Sequence, residues 1–532
     1  MIIDLETSAP GPDGSHFDVC VIGAGAAGLV LALELIRQGK RVLVLEGGGS
    51  EGSNKLRRWE RRTQALNKSE IVGLPYAGAH SGRFRALGGS TTAWAGQIVE
   101  LDDIDFAPRP WVPGSGWPFR KSELAASYAR AIEYEGLDES LLDDDAVWSE
   151  SGLEPANLGD DLTFAFSRYC PEKKFARLFK KTIDTHPNLL VCLHANACNL
   201  IMAEDGETVT SVRCRTLTGK ETHFSAGRFV LCLGGIESSR FLLQPYAAGV
   251  APWNRSGLVG RHFQDHIHYF AGDIVDAKLD DKNWHYGPHR VVLHNYEYLP
   301  KIKLSPAAQE RYGVLNVSGM AEYDDGIYPT LRVATLLIAG PASAVTFRGL
   351  AYMVPRAPAV LWNYAQTRIN PDFVLPWAKL KLAVYCEQSP LSESRITLSD
   401  RRDALGLFQT RMDWRVSKQE IETVRRYVQV AQQAFAQRGL RIEPDPDLFK
   451  DGLERKFTDR FHHMGGTRMA TSASEGVVDV NLRLHGTRNA YVCSSSVFPS
   501  SGFANPTHTL LALAVRLAWH LKDLPRIRQN AG

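Results

Sequence analysis

No apolar run in this chain reaches the ~18 residues that a helix needs to cross a bilayer. The stretch "VATLLIAGPASAV" is short and is broken at Gly340–Pro341, and "TLLALAVRLAWHL" carries Arg516 and reads as a buried amphipathic helix. The opening "MIIDLETSAPGPDG" lacks the basic segment and the long apolar segment of a secretory signal. No Cys-x-x-Cys pair occurs among Cys20, Cys170, Cys192, Cys198, Cys214, Cys232, Cys386 and Cys493, and no metal-ligand spacing appears. Several of these thiols lie in apolar runs, where they act as small hydrophobes. These absences lead us to expect a cytoplasmic protein in a reducing compartment, without a metal centre. A dominant charge is missing too. Lys and Arg number 61 against 59 Asp and Glu, for a net charge of +2, which argues against a nucleic-acid partner. The basic run Lys55, Arg57, Arg58, Arg61 and Arg62 is interrupted by Trp59 and Glu60 and reads as a solvated helix face.

What is present is an ordinary globular composition, 44% hydrophobic over 532 residues, enough for several units of about 150 residues. The folded part opens with "FDVCVIGAGAAGLVLALELIRQGKRVLVLEGG". Phe17 to Ile22 has the continuous apolar character of a strand buried on both faces. Gly23, Gly25 and Gly28 then form G-x-G-x-x-G. Helical composition runs from Leu29 to Gln38, a second strand from Arg41 to Leu45, and Glu46 follows directly. Gly23 permits the tight turn, Gly25 lets backbone approach a pyrophosphate, and Gly28 lets helix and strand pack closely. The helix N-terminus favours phosphate charge. Glu46 lies 18 residues after Gly28, where a carboxylate can accept hydrogen bonds from ribose hydroxyls. That acid disfavours NADP and leaves NAD and FAD open.

Three later segments bear on that choice. "RALGGSTTAWAG" offers backbone N–H groups and hydroxyls from a glycine loop. "RFVLCLGGIESSRFLLQ" is again strand, Gly-Gly and helix. "LVGRHFQDHIHYF" follows, and "NLLVCLHANACNLIM" and "TVTSVRCRTLTG" alternate like the strands of a hairpin. With these on the page, the chain resembles the GMC (glucose–methanol–choline) flavoprotein oxidoreductases. "RALGGSTT" is similar to the family's R-x-L-G-G-S-S loop, "VGRHFQDH" to its V-G-x-x-L-x-D-H segment and "HHMGGTRM" to its H-x-x-G-T segment. "GTRNAYVCSSSVFPSSGFANPTHTLLALA" is similar to its closing segment. The motifs run in family order from residue 17 to residue 520, nearest the pyranose-oxidase and sugar-dehydrogenase-like branch.

The resemblance implies an α/β fold: a Rossmann-like FAD-binding domain interleaved with an α+β substrate domain roofed by an antiparallel sheet. By motif position the FAD domain comprises 1–105, 190–275 and 455–532, and the substrate domain 106–189 and 276–454. Besides Gly23, Gly25, Ala26, Gly28 and Glu46, the resemblance places Arg85, Gly88, Gly89, Ser90, Thr92, Trp94, Cys198, Ser495, Asn505, Pro506 and Thr507 along the cofactor. Trp94 has the rival reading of a core tryptophan. The branch's linking histidine is replaced by Ala93, so FAD is expected without a covalent bond. Ser494 stands where the family often has Asp.

The same resemblance implies an alcohol oxidation, here of a secondary hydroxyl of a sugar or polyol, with hydride passing to flavin N5. A histidine with an ordinary pKa near ~6.5 suits the accompanying proton transfer. His463, four residues before Thr467, is the expected base, with His462 as the alternative. Asn505 is the expected partner on the substrate oxygen, with His508 as the alternative. Gln388, in "YCEQSPLSES", is a candidate substrate contact beside Glu387. His266 and His268 flank a site or form a structural pair with Asp265. The runner-up function is a non-redox lyase of the same family. The electron acceptor stays open among oxygen, a quinone and a redox protein.

Overall fold

The computed structural model describes residues 1–8, 17–50, 61–138, 143–275, 291–324 and 379–525, together with Pro358 and Trp362. Short apolar runs build its first layer. Phe17–Ile22, Val42–Leu45 and Leu189–Leu193 are buried along their whole length, as parallel strands covered on both faces must be. They pair side by side in parallel, with Ile2–Asp4 at the edge. Glu221–Leu231 changes character midway. Its first five residues alternate in exposure and pair antiparallel with Val209–Arg215. Its last six are buried and pair in parallel with Phe17–Ile22, and the end of that run also pairs with Ala490–Val492. Asn196–Met202 completes the eight strands of this sheet among the described residues.

The expected hairpin is therefore smaller than its sequence suggests. Leu189–Leu193 joins the parallel core, and only Asn196–Met202 pairs with Val209–Arg215. The uniformly apolar piece can be covered on two faces, whereas the alternating piece can face water on one. The first helix, Ala26–Arg37, starts directly after the glycine turn, and the C-terminal helix Thr507–Asp523 packs against it. Arg516 on that last helix donates to the Val480 carbonyl and lies over the Phe119 ring, so its charge does not interrupt the packing.

A second, antiparallel sheet forms the roof. Its order among the described residues is Arg441–Pro444, Ile267–Val275, Lys379–Cys386, Val317–Asp324, Tyr296–Leu304, Leu162–Tyr169 and Gln97–Ile98. The helix Lys418–Ala436 covers the outer face, packing Val424, Tyr427, Val428 and Phe435 into one core with Ile302, Val317, Leu382 and Val384. Side chains alternate along a strand, so Ile302 facing this helix turns Lys301 and Lys303 to the inner face. The arrangement is the expected α/β class, a dinucleotide-type sheet under an antiparallel roof. Of the basic run, Lys55, Arg57 and Arg58 lie outside the described residues, and Arg61 and Arg62 are exposed.

Candidate active site

A cavity of about 800 Å³ lies between the two sheets. Its floor is the carboxyl end of the parallel strands, where ligands of open α/β sheets bind. Gly23 turns with φ of +107° and Gly25 has no atom within 4 Å of where a Cβ would stand, so the turn is open to the cavity. Gly89 packs on it so closely that a Cβ there would meet Gly25 Cα at 2.8 Å. Glu46 Oε2 accepts from the Ala24 N–H and Oε1 from the Gly48 N–H, both at 2.9 Å. Each oxygen keeps a lone pair for a further donor. Burial raises the Glu46 pKa, and the Ala24 and Gly48 N–H groups and Arg85 partly offset this.

Three helices start at this cavity, at Ala26, Gly234 and Thr507, and none has a capping side chain. Their first N–H groups are unsatisfied donors at the positive ends of helix dipoles. Asn196 Oδ1 is a further buried polar atom on the lining without a hydrogen-bond partner.

The opposite end of the cavity holds the two adjacent histidines, His462 and His463. Thr458–Asp459 pairs with Ile267–His268, and Phe461 then takes φ of +63°. Asp265 pins this turn. Its Oδ1 accepts the N–H groups of His266 at 2.7 Å and His462 at 2.9 Å, and its Oδ2 accepts the Tyr76 hydroxyl at 2.5 Å. Burial, with Asp459 nearby, raises the Asp265 pKa to about 8. His462 Nε2 lies 3.2 Å from Asn505 Nδ2, and its Nδ1 lies 2.8 Å from His266 Nδ1. Asn505 can only donate there, so Nε2 is an acceptor and Nδ1 carries the proton toward His266. Burial, then His266, Arg460 and Lys301, hold the His462 pKa well below 6.5.

The adjacent His463 also lines the cavity, but its ring turns toward Gly78 and Tyr76 instead of Asn505. Its Nε2 lies against Gly78, where a Cβ would meet it at 2.7 Å, and its ring stands 6.0 Å from that of Tyr76. Burial and Arg83 lower its pKa to about 3. The expected pairing of His463 with Asn505 is thus corrected: the structure brings His462 to Asn505. Successive residues of an extended chain face opposite sides, so one position decides which ring meets the amide. The following glycines have packing reasons. A Cβ on Gly465 would meet the His262 carbonyl oxygen at 1.8 Å, and one on Gly466 the Ser239 Oγ at 2.3 Å.

The other expected residues divide. Gly23, Gly25, Ala26, Glu46, Arg85, Gly89, Ser90, Trp94, Ser495, Asn505, Pro506 and Thr507 line the cavity, as does Ala93. Gly28, Gly88, Thr92 and Cys198 do not. Gly28 packs on Gly23, Gly88 turns with φ of +97°, and Thr92 donates to the Gly89 carbonyl at 2.8 Å. Cys198 Sγ contacts the Asn196 carbonyl, and it is Asn196 and Ala197 that reach the lining. Trp94 both lines the cavity and packs edge-on against Phe175. Gln388 is a structural staple away from the cavity. Its Oε1 accepts from the Asp265 N–H and Trp414 Nε1, and its Nε2 donates to the Arg415 carbonyl. Glu387 forms a buried pair with Arg109, through Nη1 at 2.7 Å and Nη2 at 2.5 Å. His268 meets Thr458 Oγ1, and His508 forms an ion pair with Glu135 at 2.8 Å behind the site. Sequence reasoning missed Lys301, Glu322, Tyr385 and Arg460, which the roof brings to the lining.

A family model described as GMC oxidoreductase matches residues 390–514, and one described as FAD dependent oxidoreductase matches residues 18–172. Paromamine 6'-oxidase of Streptomyces fradiae is 23% identical across 95% of this chain and 91% of its own length. The 2-methyl-1,2-propanediol dehydrogenase of Mycolicibacterium austroafricanum is 23% identical across 94% of each. Pyridoxine 4-oxidase from Mesorbium loti superposes with a TM-score of 0.58 at 17% identity, covering 95% of this chain and 99% of that one. Formate oxidase superposes with 0.57 at 18% identity, covering 96% and 99%. A dinucleotide turn beneath an antiparallel roof, with these matches, defines an FAD-dependent oxidoreductase. Over residues 390–514 the chain matches the GMC oxidoreductases, and the relatives it resembles over nearly its whole length are enzymes acting on CH–OH groups.

The cavity fits that cofactor: an open glycine turn, uncapped helix starts for a pyrophosphate and a carboxylate placed for a ribose. No helix among the described residues is long and apolar enough to cross a membrane.

Proposed function

We propose that the enzyme oxidises a secondary hydroxyl of a sugar or polyol, with His462 as the base and Asn505 holding the substrate oxygen. The observation that carries this reading is the 3.2 Å approach of Asn505 Nδ2 to His462 Nε2 on the cavity lining. A substrate hydroxyl placed between them accepts from the amide and donates to the imidazole. Loss of that proton to Nε2 makes the carbinol oxygen electron-rich, which drives the C–H bond to release hydride. FAD, when bound, supplies the two-electron acceptor for that hydride. His266 is a positioning residue: its Nδ1 takes the His462 Nδ1–H bond and so keeps Nε2 free to accept. Gly23 to Ala26 and the first helix hold the pyrophosphate and Glu46 the ribose. The named substrates of the two relatives above, paromamine and 2-methyl-1,2-propanediol, each carry more than one hydroxyl and support an alcohol substrate, whereas the secondary position rests on the resemblance to the sugar-oxidising branch.

The cofactor is held without a covalent bond, since Ala93 offers no nucleophile where the related branch links its flavin. An anaerobic panel of sugars and polyols, read by loss of oxidised-flavin absorbance, tests the reaction. At least one member bleaches the flavin. A panel that leaves the flavin oxidised throughout removes the reading. Acid precipitation of the same preparation releases all the FAD, and colour left in the washed pellet refutes the non-covalent attachment.

A further inference from the structure

The inner face of the roof strand Tyr296–Leu304 carries two lysines with different surroundings. Lys303 Nζ pairs with Asp102 Oδ1 at 2.6 Å. Lys301 has no such carboxylate partner among the described residues. Its Nζ reaches Asn505 Oδ1 at 3.5 Å and stands 5.7 Å and 5.9 Å from the ring centroids of Tyr385 and Phe503. Lys301 is only 4% exposed. A buried ammonium with one long hydrogen bond and no counter-ion is costly until something anionic joins it.

Arg460 places a second cation at this wall. Its guanidinium lies 4.9 Å from the Tyr385 ring centroid and its Nη2 donates to the Tyr385 hydroxyl at 3.1 Å. Glu322 is the carboxylate on the same wall, and it accepts the Tyr385 O–H bond. Among the described residues no carboxylate lies within ion-pair distance of Lys301, and the neighbouring rings add no charge beside it. Burial lowers the His266 pKa to about 4 and holds that of His462 well below 6.5, so both are neutral at pH 7. Burial and Arg460 lower the Lys301 pKa to about 8, which still leaves it mostly protonated at neutral pH.

The geometry points to a substrate that brings its own anion: a hydroxy acid, such as a sugar acid, whose carboxylate lies one or two carbons from the oxidised carbinol. Lys301 Nζ approaches one end of the Asn505 amide and His462 Nε2 the other. A carboxylate on the lysine and a hydroxyl on the histidine are therefore separated by about the width of that amide. The inference rests on the proposed roles of His462 and Asn505, and it names Lys301 as the residue that selects the substrate.

Calorimetric titration of the oxidised holoenzyme reads the anion site without turnover. The probes are matched pairs: D-lactate with propane-1,2-diol, D-glycerate with glycerol, and D-gluconate with D-glucitol. At least one carboxylate binds about tenfold or more tightly than its neutral partner, the scale of a hydrogen bond to a charged group. That preference is lost in Lys301→Met and kept in Lys301→Arg, with FAD content as the folding control. Lys301→Gln gives the same readout if the methionine variant does not fold. Equal affinities across every pair overturn the inference, as does a preference that survives Lys301→Met. A Lys301→Met variant with unchanged affinities and a shifted flavin potential assigns the cation to the cofactor and also overturns it. Failure of the proposed reaction looks different: the carboxylates bind with the stated preference, yet no ligand bleaches the flavin anaerobically.

Discussion

His462 and His463 are the same residue type in adjacent positions, and their surroundings make them different. One ring meets Asn505, the other packs against Tyr76 and Gly78, and both residues line the cavity. His462→Ala is expected to slow flavin reduction about 100-fold or more, the usual scale for a positioned base. His463→Ala is expected to lower stability more than rate, because it empties a packed site. Stopped-flow reduction and thermal midpoints of both variants check this, and the reverse ranking returns the role to His463. The parent rate should be flat near neutral pH and fall on acidification, since the imidazole must be neutral to accept a proton and its pKa lies below 6.5. Asn505→Ala slows the step and keeps that profile, because an amide does not titrate. The spacing to Thr467 pointed to His463, since sequence spacing does not report which way a side chain faces. Gln388 misled for a related reason: a polar residue at a strand end is equally suited to a ligand and to Trp414.

At the scale of elements, the helices that meet the cavity lack caps, and a helix elsewhere has one. Ala26–Arg37 and Thr507–Asp523 begin without a side-chain cap and without an acid in the first turn, which leaves their N–H groups for an anionic ligand. Lys418–Ala436, on the outer face of the roof, begins with a capping box. Ser417 Oγ accepts from the Gln419 N–H at 3.0 Å and Glu420 Oε2 from the Ser417 N–H at 2.8 Å. Ser417→Ala should cost about 1 kcal/mol of stability. A lower urea midpoint with unchanged flavin reduction is the expected result, and a changed rate would show that this helix couples to the site. Both patterns are legible in sequence, as "GAGAAG" without a cap and "SKQE" with one.

For the molecule as a whole, placing the site between two sheets buries many titratable groups. Burial lowers His266 to about 4 and His463 to about 3, and holds His462 and His268 well below 6.5. Below pH 6.5 the unfolded chain binds protons that these native histidines refuse, so stability falls with pH. Asp105 and Asp265 oppose this. Burial first, then neighbouring carboxylates, raises them to about 7 and about 8, and native chains hold their protons where unfolded chains have released them. With His80, His262 and His520 also lowered and Glu46 and Asp144 also raised, seven histidines outweigh four carboxyls among the described residues, so stability should decline from pH 6.5 toward about 4. At the other end, burial alone would lower His508, but Glu135 and Glu100 raise it to about 9. Its contribution is complete below pH 6.5 and is lost as pH rises through about 9. Thermal midpoints across this range check both limbs, and a midpoint that holds steady from neutral pH to about 4 contradicts the acid limb.

The sequence alone determined the parts whose physics is local. A continuous apolar run, a glycine turn, a helix and an acid specify a dinucleotide site, because each acts on neighbours within one strand–turn–helix unit. The ordered motifs extended this, by resemblance, to the family's architecture and its antiparallel roof. Tertiary structure decided whatever depends on which face meets which. The lysines of "PKIKL" share one face of their strand, and the roof turns Lys301 on that face onto the cavity and buries it beside Asn505. His266 is separated from His462 by 196 residues, and only the pairing of Ile267–His268 with Thr458–Asp459 brings the rings together. Side-chain direction is set by strand register and sheet stacking, which arise from contacts between segments far apart in the chain.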